Sequence, residues 1–372
     1  MNNPFTLSVI PPDAPFCDRV MEIEELTSYA ESKANVVLYS PRRYGKTSLI
    51  KRVQSLLKGK GFITIYIDLF GVTSIDDVAK RTAKGIYTVT QQNESLFKKS
   101  IRAFRAFRPV LKPTESGDGL SISVEIASGQ LTGIDLLDAT MDDLGQYIRK
   151  SEAKLHIVFD EFQEITELNN QQIEGTMRSH IQEHGISYFF VGSRRRLLID
   201  MFSQSNRPFF QSSILYRLGK LPHEDLVRFI MNCFLSKGKN CPEEVAELIS
   251  STVNQHPYYS QKLSFYEFEL TGKKAAEVDI TKAYERVIKE ERFFFEATIQ
   301  GLTLKQVSLL TAIANSPNLS IYSSTFLSQY RLAQGMIQKA LPKLSRLDLI
   351  EKNEENTWRL VDPLFEDWLK RT

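Results

Sequence analysis

Between Leu38 and Ile50 the chain reads LYSPRRYGKTSLI. Its residues follow G-x-x-x-x-G-K-[ST] at every position but the first, where Ser40 stands in place of glycine. That spacing suits an anion. A glycine lets the backbone approach closely, a lysine brings a mobile positive charge, and the N–H groups of the next helix point at what is bound. The wrap would run over Ser40, Pro41, Arg42, Arg43, Tyr44, Gly45, Lys46, Thr47 and Ser48. Lys46 would neutralise β- and γ-phosphate oxygens, and Thr47 would offer a hydroxyl to Mg²⁺. Serine at the first position costs some backbone freedom but leaves the amide donors in place.

Two further clusters supply what phosphoryl chemistry needs beside a cradle. In LHIVFDEFQEI an apolar run ends in Asp160-Glu161. Asp160 is suited to hold Mg²⁺ through water, and Glu161 to polarise an attacking water as the base. In YFFVGSRRRLLIDMF, Ser193 follows another apolar run and is placed to sense a γ-phosphate. Arg194, Arg195 and Arg196 come next, at an expected helix start. Positive charge there opposes the helix dipole, so either an anion lies near, Arg194 first in line, or the arginines are solvated.

These residues need strand ends to present them. Asn35–Ser40, Phe62–Leu69, Leu155–Phe159, Tyr188–Val191 and Ser213–Leu218 are short apolar runs rich in β-branched and aromatic residues. The run before the phosphate loop is followed by a helical pattern over Thr47–Lys58. Strands alternating with helices imply a mostly parallel sheet covered on both faces. After Pro222 the strand signals give way to helical patterns. From Thr303 three helices, two short strands (LIEKN, TWRLV) and a last helix follow, the order of a winged helix–turn–helix. The expected class is α/β: residues 1–220 a P-loop parallel-sheet core with an insertion at about 94–130; 221–298 an all-α lid; 299–372 the winged helix–turn–helix.

With SPRRYGKTSLI, FDEFQEI, VGSRRRLLIDMF and NQHPYYSQKL in view, the chain resembles the archaeal-type ATPase family, P-loop proteins close to AAA+ replication initiators and STAND signalling ATPases. The likeness runs from about Phe16 to the end. It implies ATP or ADP as ligand with Mg²⁺, an ATPase core, a helical lid and a C-terminal winged helix. It also implies that Arg19, in PFCDRVMEIEELTSY, helps wall the adenine pocket, and that His256-Pro257 approaches the phosphates. Gln255 precedes that pair, where the family usually has glycine.

Lys and Arg total 47 and Asp and Glu 45, a net charge of +2, so any polyanion surface must be local. Phe97–Lys112 carries six basic residues and no acidic one, with Phe97, Ile101, Phe104 and Phe107 at helical spacing, and reads as an amphipathic basic helix. Arg108–Pro113, ESGDG and LSISVEI read as a β-hairpin. In the winged helix, Lys339, Lys343 and Arg346 share one face of the third helix, a groove-reading arrangement for double-stranded DNA, with Arg359 in the wing as a further contact. Pro342 should kink or shorten that helix. Acidic Asp348, Glu351, Glu354 and Glu355 nearby suit docking on protein equally well. No apolar run is long enough to span a bilayer, the N-terminal stretch lacks a signal-peptide pattern, and the three cysteines are scattered, which together suit a cytoplasmic protein. Three readings follow: an Mg²⁺-dependent ATPase acting as switch or motor on DNA, a protein partner or a homo-oligomer; a slow nucleotide-gated STAND-type module; and a DNA-binding regulator stabilised by ATP.

Overall fold

The computed structural model describes residues 2–91, 94–113, 120–127, 131–151, 153–317, 319–353 and 356–371. They form two compact units: Met1–Arg19, Pro41–Gly45 and Gly219–Thr372 make the first, Val20–Ser40 and Lys46–Leu218 the second. Each has its own hydrophobic core.

The second unit contains, in chain order, α1 (Val20–Glu31), β1 (Val36–Tyr39), α2 (Lys46–Gly59), β2 (Phe62–Asp68), α3 (Ile75–Thr90), α4 (Glu94–Ala103), β3 (Phe107–Pro113), β4 (Leu120–Ile126), α5 (Gly133–Ser151), β5 (Lys154–Asp160), a 3₁₀ turn (Phe162–Leu168), α6 (Gln172–His184), β6 (Ser187–Gly192), α7 (Arg195–Ser203) and β7 (Ile214–Arg217). All five expected strands form one sheet in the order β2-β5-β6-β1-β7, and every pairing is parallel. β6 is buried along its whole length and β5 at all but its first residue, which is why both read as unbroken apolar runs. β1 lies between β6 and β7, and β2 lies beyond β5, so the chain crosses over after its first strand. In open parallel sheets, ligands gather outside the carboxyl ends of strands at such crossovers.

The basic helix expected over Phe97–Lys112 is shorter. α4 ends at Ala103, and Phe107 opens β3, which pairs antiparallel with β4. Pro109 keeps Arg108 extended and so suits the strand that follows, though α4 itself ends six residues earlier. Arg108 and Lys112 lie on β3, the first strand of the hairpin expected from Arg108–Pro113 and LSISVEI, and the expected turn, Glu115–Gly119, lies outside the described residues.

The first unit holds α8 (His223–Leu235), α9 (Glu243–Thr252), α10 (Pro257–Leu270), α11 (Glu277–Gln300), α12 (Leu304–Asn315), α13 (Ser324–Tyr330), α14 (Gln334–Arg346), β8 (Ile350–Lys352), β9 (Trp358–Leu360) and α15 (Pro363–Arg371). β8 and β9 pair antiparallel as the wing. α14 runs through Pro342 and is not shortened by it. The N-terminal residues belong here too. Phe5 is buried against Phe229, Phe234 and Phe268, and the Asn3 amide donates to Phe265 O at 3.0 Å.

Candidate functional site

Three neighbouring strands end side by side. In register, Tyr39 of β1 pairs with Gly192 of β6, and Phe159 of β5 pairs with Phe190 of β6. The residues that follow, Ser40, Ser193 and the pair Asp160-Glu161, thus leave the same edge of the sheet. Parallel pairing is what brings together side chains more than a hundred positions apart in sequence.

α2 begins at Lys46, whose side chain is buried, with Nζ 3.2 Å from both the carbonyl and the hydroxyl of Ser40. The Thr47 hydroxyl donates to Asp160 Oδ2 at 3.2 Å. The Tyr66 hydroxyl, on β2, donates to the same carboxylate oxygen. Burial pushes the Asp160 carboxyl above the usual carboxylate range, while the Tyr66 hydroxyl, the Glu161 N–H and the Lys46 ammonium pull the other way. The Tyr66 hydroxyl is itself raised, first by burial and then by the charge on Asp160. Ser48, in the first turn of α2, is buried.

Glu161 takes a left-handed backbone conformation, φ 51° and ψ 42°, at the start of the 3₁₀ turn. This costs about 1 kcal/mol or more for a residue other than glycine. The twist separates two carboxylates that are adjacent in sequence: Asp160 stays in line with β5 and takes the Glu161 N–H at 2.9 Å, while Glu161 swings toward β6. There its Oε2 accepts from Ser193 Oγ at 2.9 Å, from Ser193 N at 3.3 Å and from Gln163 Nε2 at 2.5 Å. Ser193, expected to face a γ-phosphate, is in contact with Glu161. The next residue, Phe162, is fully buried and anchors the turn, with ring centroids 4.6 Å from Phe190 and 5.5 Å from Phe209. Arg194 is engaged within the same unit by Glu167 at 2.7 Å and Glu164 at 3.7 Å.

The middle of the phosphate loop, Pro41–Gly45, packs in the first unit. Gly45 has φ +84°, a conformation that glycine adopts without penalty. Arg43 is also left-handed at φ +64° and is held there: its guanidinium meets Glu291 at 2.7 Å and lies over the Tyr258 ring at 4.4 Å. Glu291 is only 1% exposed and is bridged a second time by Lys262 Nζ at 2.6 Å. Tyr44 is buried and meets the His256 ring edge-on, centroids 4.8 Å apart. Arg42 is exposed and Pro41 buried.

His256 caps α10 through Nδ1, which accepts from Tyr259 N, and Pro257 takes the first helical position, where a missing N–H costs nothing. Burial drives the His256 imidazole down to about 3, so the ring is neutral. Asn254 and Gln255 before it have φ +54° and +53°, the region natural to the glycine that Gln255 replaces. The Arg19 guanidinium, itself buried, donates to the carbonyls of Gly219 at 2.6 Å and Lys220 at 3.4 Å.

On α14, Lys339, Lys343 and Arg346 are all exposed, opposite the buried Ile337, Ala340 and Leu344. Arg359 differs: Glu351 takes both its Nε at 3.0 Å and its Nη2 at 2.7 Å, so this arginine is committed within the wing. Glu354 and Glu355 lie outside the described residues.

Four contacts of the site were not legible in sequence: Tyr66, Gln163, Glu291 and Lys262. Tyr66 alone left a trace, as a phenol two residues from the end of an apolar strand. The others join segments distant in sequence or sit in a motif as apparent filler.

Residues 16–206 match the family model described as an ATPase domain predominantly from Archaea, and residues 293–371 match that of a winged helix domain. No curated protein matches the chain. Among solved structures, the Walker-type ATPase of Pyrococcus abyssi is 16% identical, with 99% of each chain covered and a TM-score of 0.72. The ORC2 protein of Aeropyrum pernix, solved as ADPNP–ADP complexes, is 16% identical over 99% of this chain and 96% of its own, at 0.58. The ORC1 protein of the same organism, solved with DNA, is 12% identical over 100% and 98%, at 0.54. At these identities the likeness is one of fold.

Proposed function

Because the chain belongs to the family of ATPase domains found predominantly in Archaea, we propose that it binds ATP with Mg²⁺, hydrolyses the β–γ phosphoanhydride, and uses the cycle as a switch or motor. The observation that carries this reading is the convergence of Lys46, Thr47, Asp160, Glu161 and Ser193 on one edge of the parallel sheet.

The donor set fits Mg²⁺. A hydroxyl and a carboxylate oxygen 3.2 Å apart are hard ligands, and among the described residues no cluster of three or more His, Cys, Asp or Glu side chains gathers as a cage. Thr47 and Asp160, the latter through water, would hold the ion. It would supply charge neutralisation on the phosphate oxygens. Lys46 adds positive charge on the β- and γ-phosphates from its buried position. Glu161 orients a water and accepts its proton as the water oxygen bonds to the γ-phosphorus and the bond to the bridging oxygen breaks.

Multiple-turnover assays with calorimetry test this. Glu161→Gln keeps ATP affinity and loses turnover by roughly 10²-fold or more, and Lys46→Ala loses tight binding. Unchanged turnover in Glu161→Gln would remove Glu161 as base, and unchanged affinity in Lys46→Ala would remove the loop assignment.

A specific observation favours duplex DNA as the partner: three exposed cations line the outer face of α14. Turnover raised by duplex DNA supports the DNA-coupled switch. Negligible turnover with nucleotide-dependent assembly supports the STAND-type module, and DNA binding indifferent to nucleotide supports the regulator.

A further inference from the structure

Gln163 is fully buried, and its two polar atoms have different fates. Nε2 donates to Glu161 Oε2, whereas Oε1 has no hydrogen-bond partner among the described residues. The amide orientation follows from chemistry: a carboxylate cannot donate, so the nitrogen must face it. Oε1 is thereby turned toward Gly192. A β-carbon built on Gly192 would lie 2.0 Å from that oxygen, far inside contact distance. Leaving a buried carbonyl oxygen unpaired is unfavourable, and a leucine or methionine would fill the space without that cost. A glutamine here needs a reason, and among the described residues the only polar contact its head makes is with Glu161.

The geometry at Glu161 supplies one. Gln163 Nε2, Ser193 Oγ and Ser193 N all converge on Oε2. Among the described residues no donor reaches Oε1 of Glu161. One carboxylate oxygen is clamped by three donors and the other is left to take a proton. Phe162, locked between Phe190 and Phe209, fixes the turn from which both Glu161 and Gln163 project.

We propose that Gln163 is a positioning residue for the hydrolytic base, clamping Oε2 of Glu161 so that Oε1 faces the attacking water, and that Gly192 is glycine because only a residue without a β-carbon leaves room for the clamp. This rests on Glu161 being the base.

The experiment measures kcat, KM and calorimetric ATP affinity on the full chain. Gln163→Leu lowers kcat roughly 10- to 100-fold, part of the ~10²–10⁴ that a positioned base contributes, with KM and affinity unchanged. Gln163→Glu keeps the size but replaces the donor with an acceptor, and is at least as slow. Glu161→Gln/Gln163→Leu is no slower than Glu161→Gln alone, because the clamp acts only through the base. Gly192→Ala reproduces the kcat loss in the wild-type background and adds little in a Gln163→Ala background, where the methyl then meets only the end of the Leu198 side chain, Cδ2 at 3.0 Å, which needs to shift by a few tenths of an ångström. Full turnover in Gln163→Leu or Gly192→Ala, or a double variant slower by the full single-variant factor, overturns the proposal while leaving Glu161 as base. If Glu161→Gln itself turns over normally, the parent reading fails and the clamp with it. A lowered thermal midpoint in Gln163→Leu, tracking the kcat loss, would assign Gln163 to the fold instead.

Discussion

Glu161 and His156 lie five residues apart on and just beyond one strand, and they mark two ways of using a polar group in a dry place. Glu161 is satisfied by three donors at the strand's end. His156, mid-strand, is fully buried and among the described residues neither ring nitrogen has a partner; opposite lies Thr64, whose hydroxyl has none there either. Burial drives the His156 imidazole down to about 3. The folded chain therefore keeps it neutral, while the unfolded chain protonates it near the ordinary value of about 6.5. Between those values the unfolded state binds the extra proton, so stability falls as pH falls, by up to about 1.4 kcal/mol per pH unit for this group. His184 in the same unit, lowered to about 4, adds to the trend. His156→Leu should flatten the fall of the urea midpoint between pH 6.5 and 4.5 without abolishing it. An unchanged slope would show that the native ring takes up its proton as freely as the unfolded one. The three cysteines are likewise buried, with thiols pushed up to about 12, and should resist thiol reagents in the native state.

At the scale of elements, local pattern and local breaker compete, and the winner differs by place. In 97–107 apolar spacing suggests a helix, yet α4 stops at Ala103 and Phe107 already belongs to the strand of the hairpin that follows. In α14 a proline is overridden: Ile337, Ala340 and Leu344 are buried on one face, and the helix continues through Pro342. Such a helix lacks one backbone bond and carries a ring against the preceding turn. Pro342 is exposed, so Pro342→Ala should leave packing intact and stabilise the first unit by about 1–3 kcal/mol, read as a higher thermal midpoint for its transition. No gain would mean that the proline costs nothing in this helix. Sequence located the five sheet strands by their runs of β-branched and aromatic residues; β5 and β6 are buried almost throughout, whereas β7 at the sheet edge is largely exposed. It did not mark the 3₁₀ turn, whose left-handed first residue has no compositional signature.

For the whole molecule, the net charge of +2 leaves any affinity for nucleic acid to local clusters. The face of α14 is one, while Arg359 is paired with Glu351. Lys339→Ala, Lys343→Ala and Arg346→Ala should each weaken duplex binding and make the slope of log K against log salt shallower by roughly 1, while Arg359→Ala leaves that slope alone. An equal effect at Arg359 would bring the wing into the contact surface, and no effect at the three α14 positions would locate binding elsewhere. No helix among the described residues is long and apolar enough to cross a membrane. The division of the chain is less linear than sequence suggests, since Met1–Arg19 and Pro41–Gly45 group with Gly219–Thr372 and not with the strands beside them. Apolar content explains part of that. Phe5 has no core of its own and finds one among the aromatic rings of α8 and α10.

Sequence by itself determined the chemistry on offer: a lysine and a threonine behind a glycine, a pair of carboxylates and a serine, each behind an apolar run, because motif spacing and strand burial are written in residue types. Only the tertiary structure decided what each group touches. Strand order placed β6 between β5 and β1, backbone handedness at Glu161 sent two neighbouring carboxylates to different partners, and Arg43 met Glu291, which Lys262 also bridges, across more than two hundred residues. Such pairings depend on which surfaces meet when cores close, and nothing local in the chain encodes them.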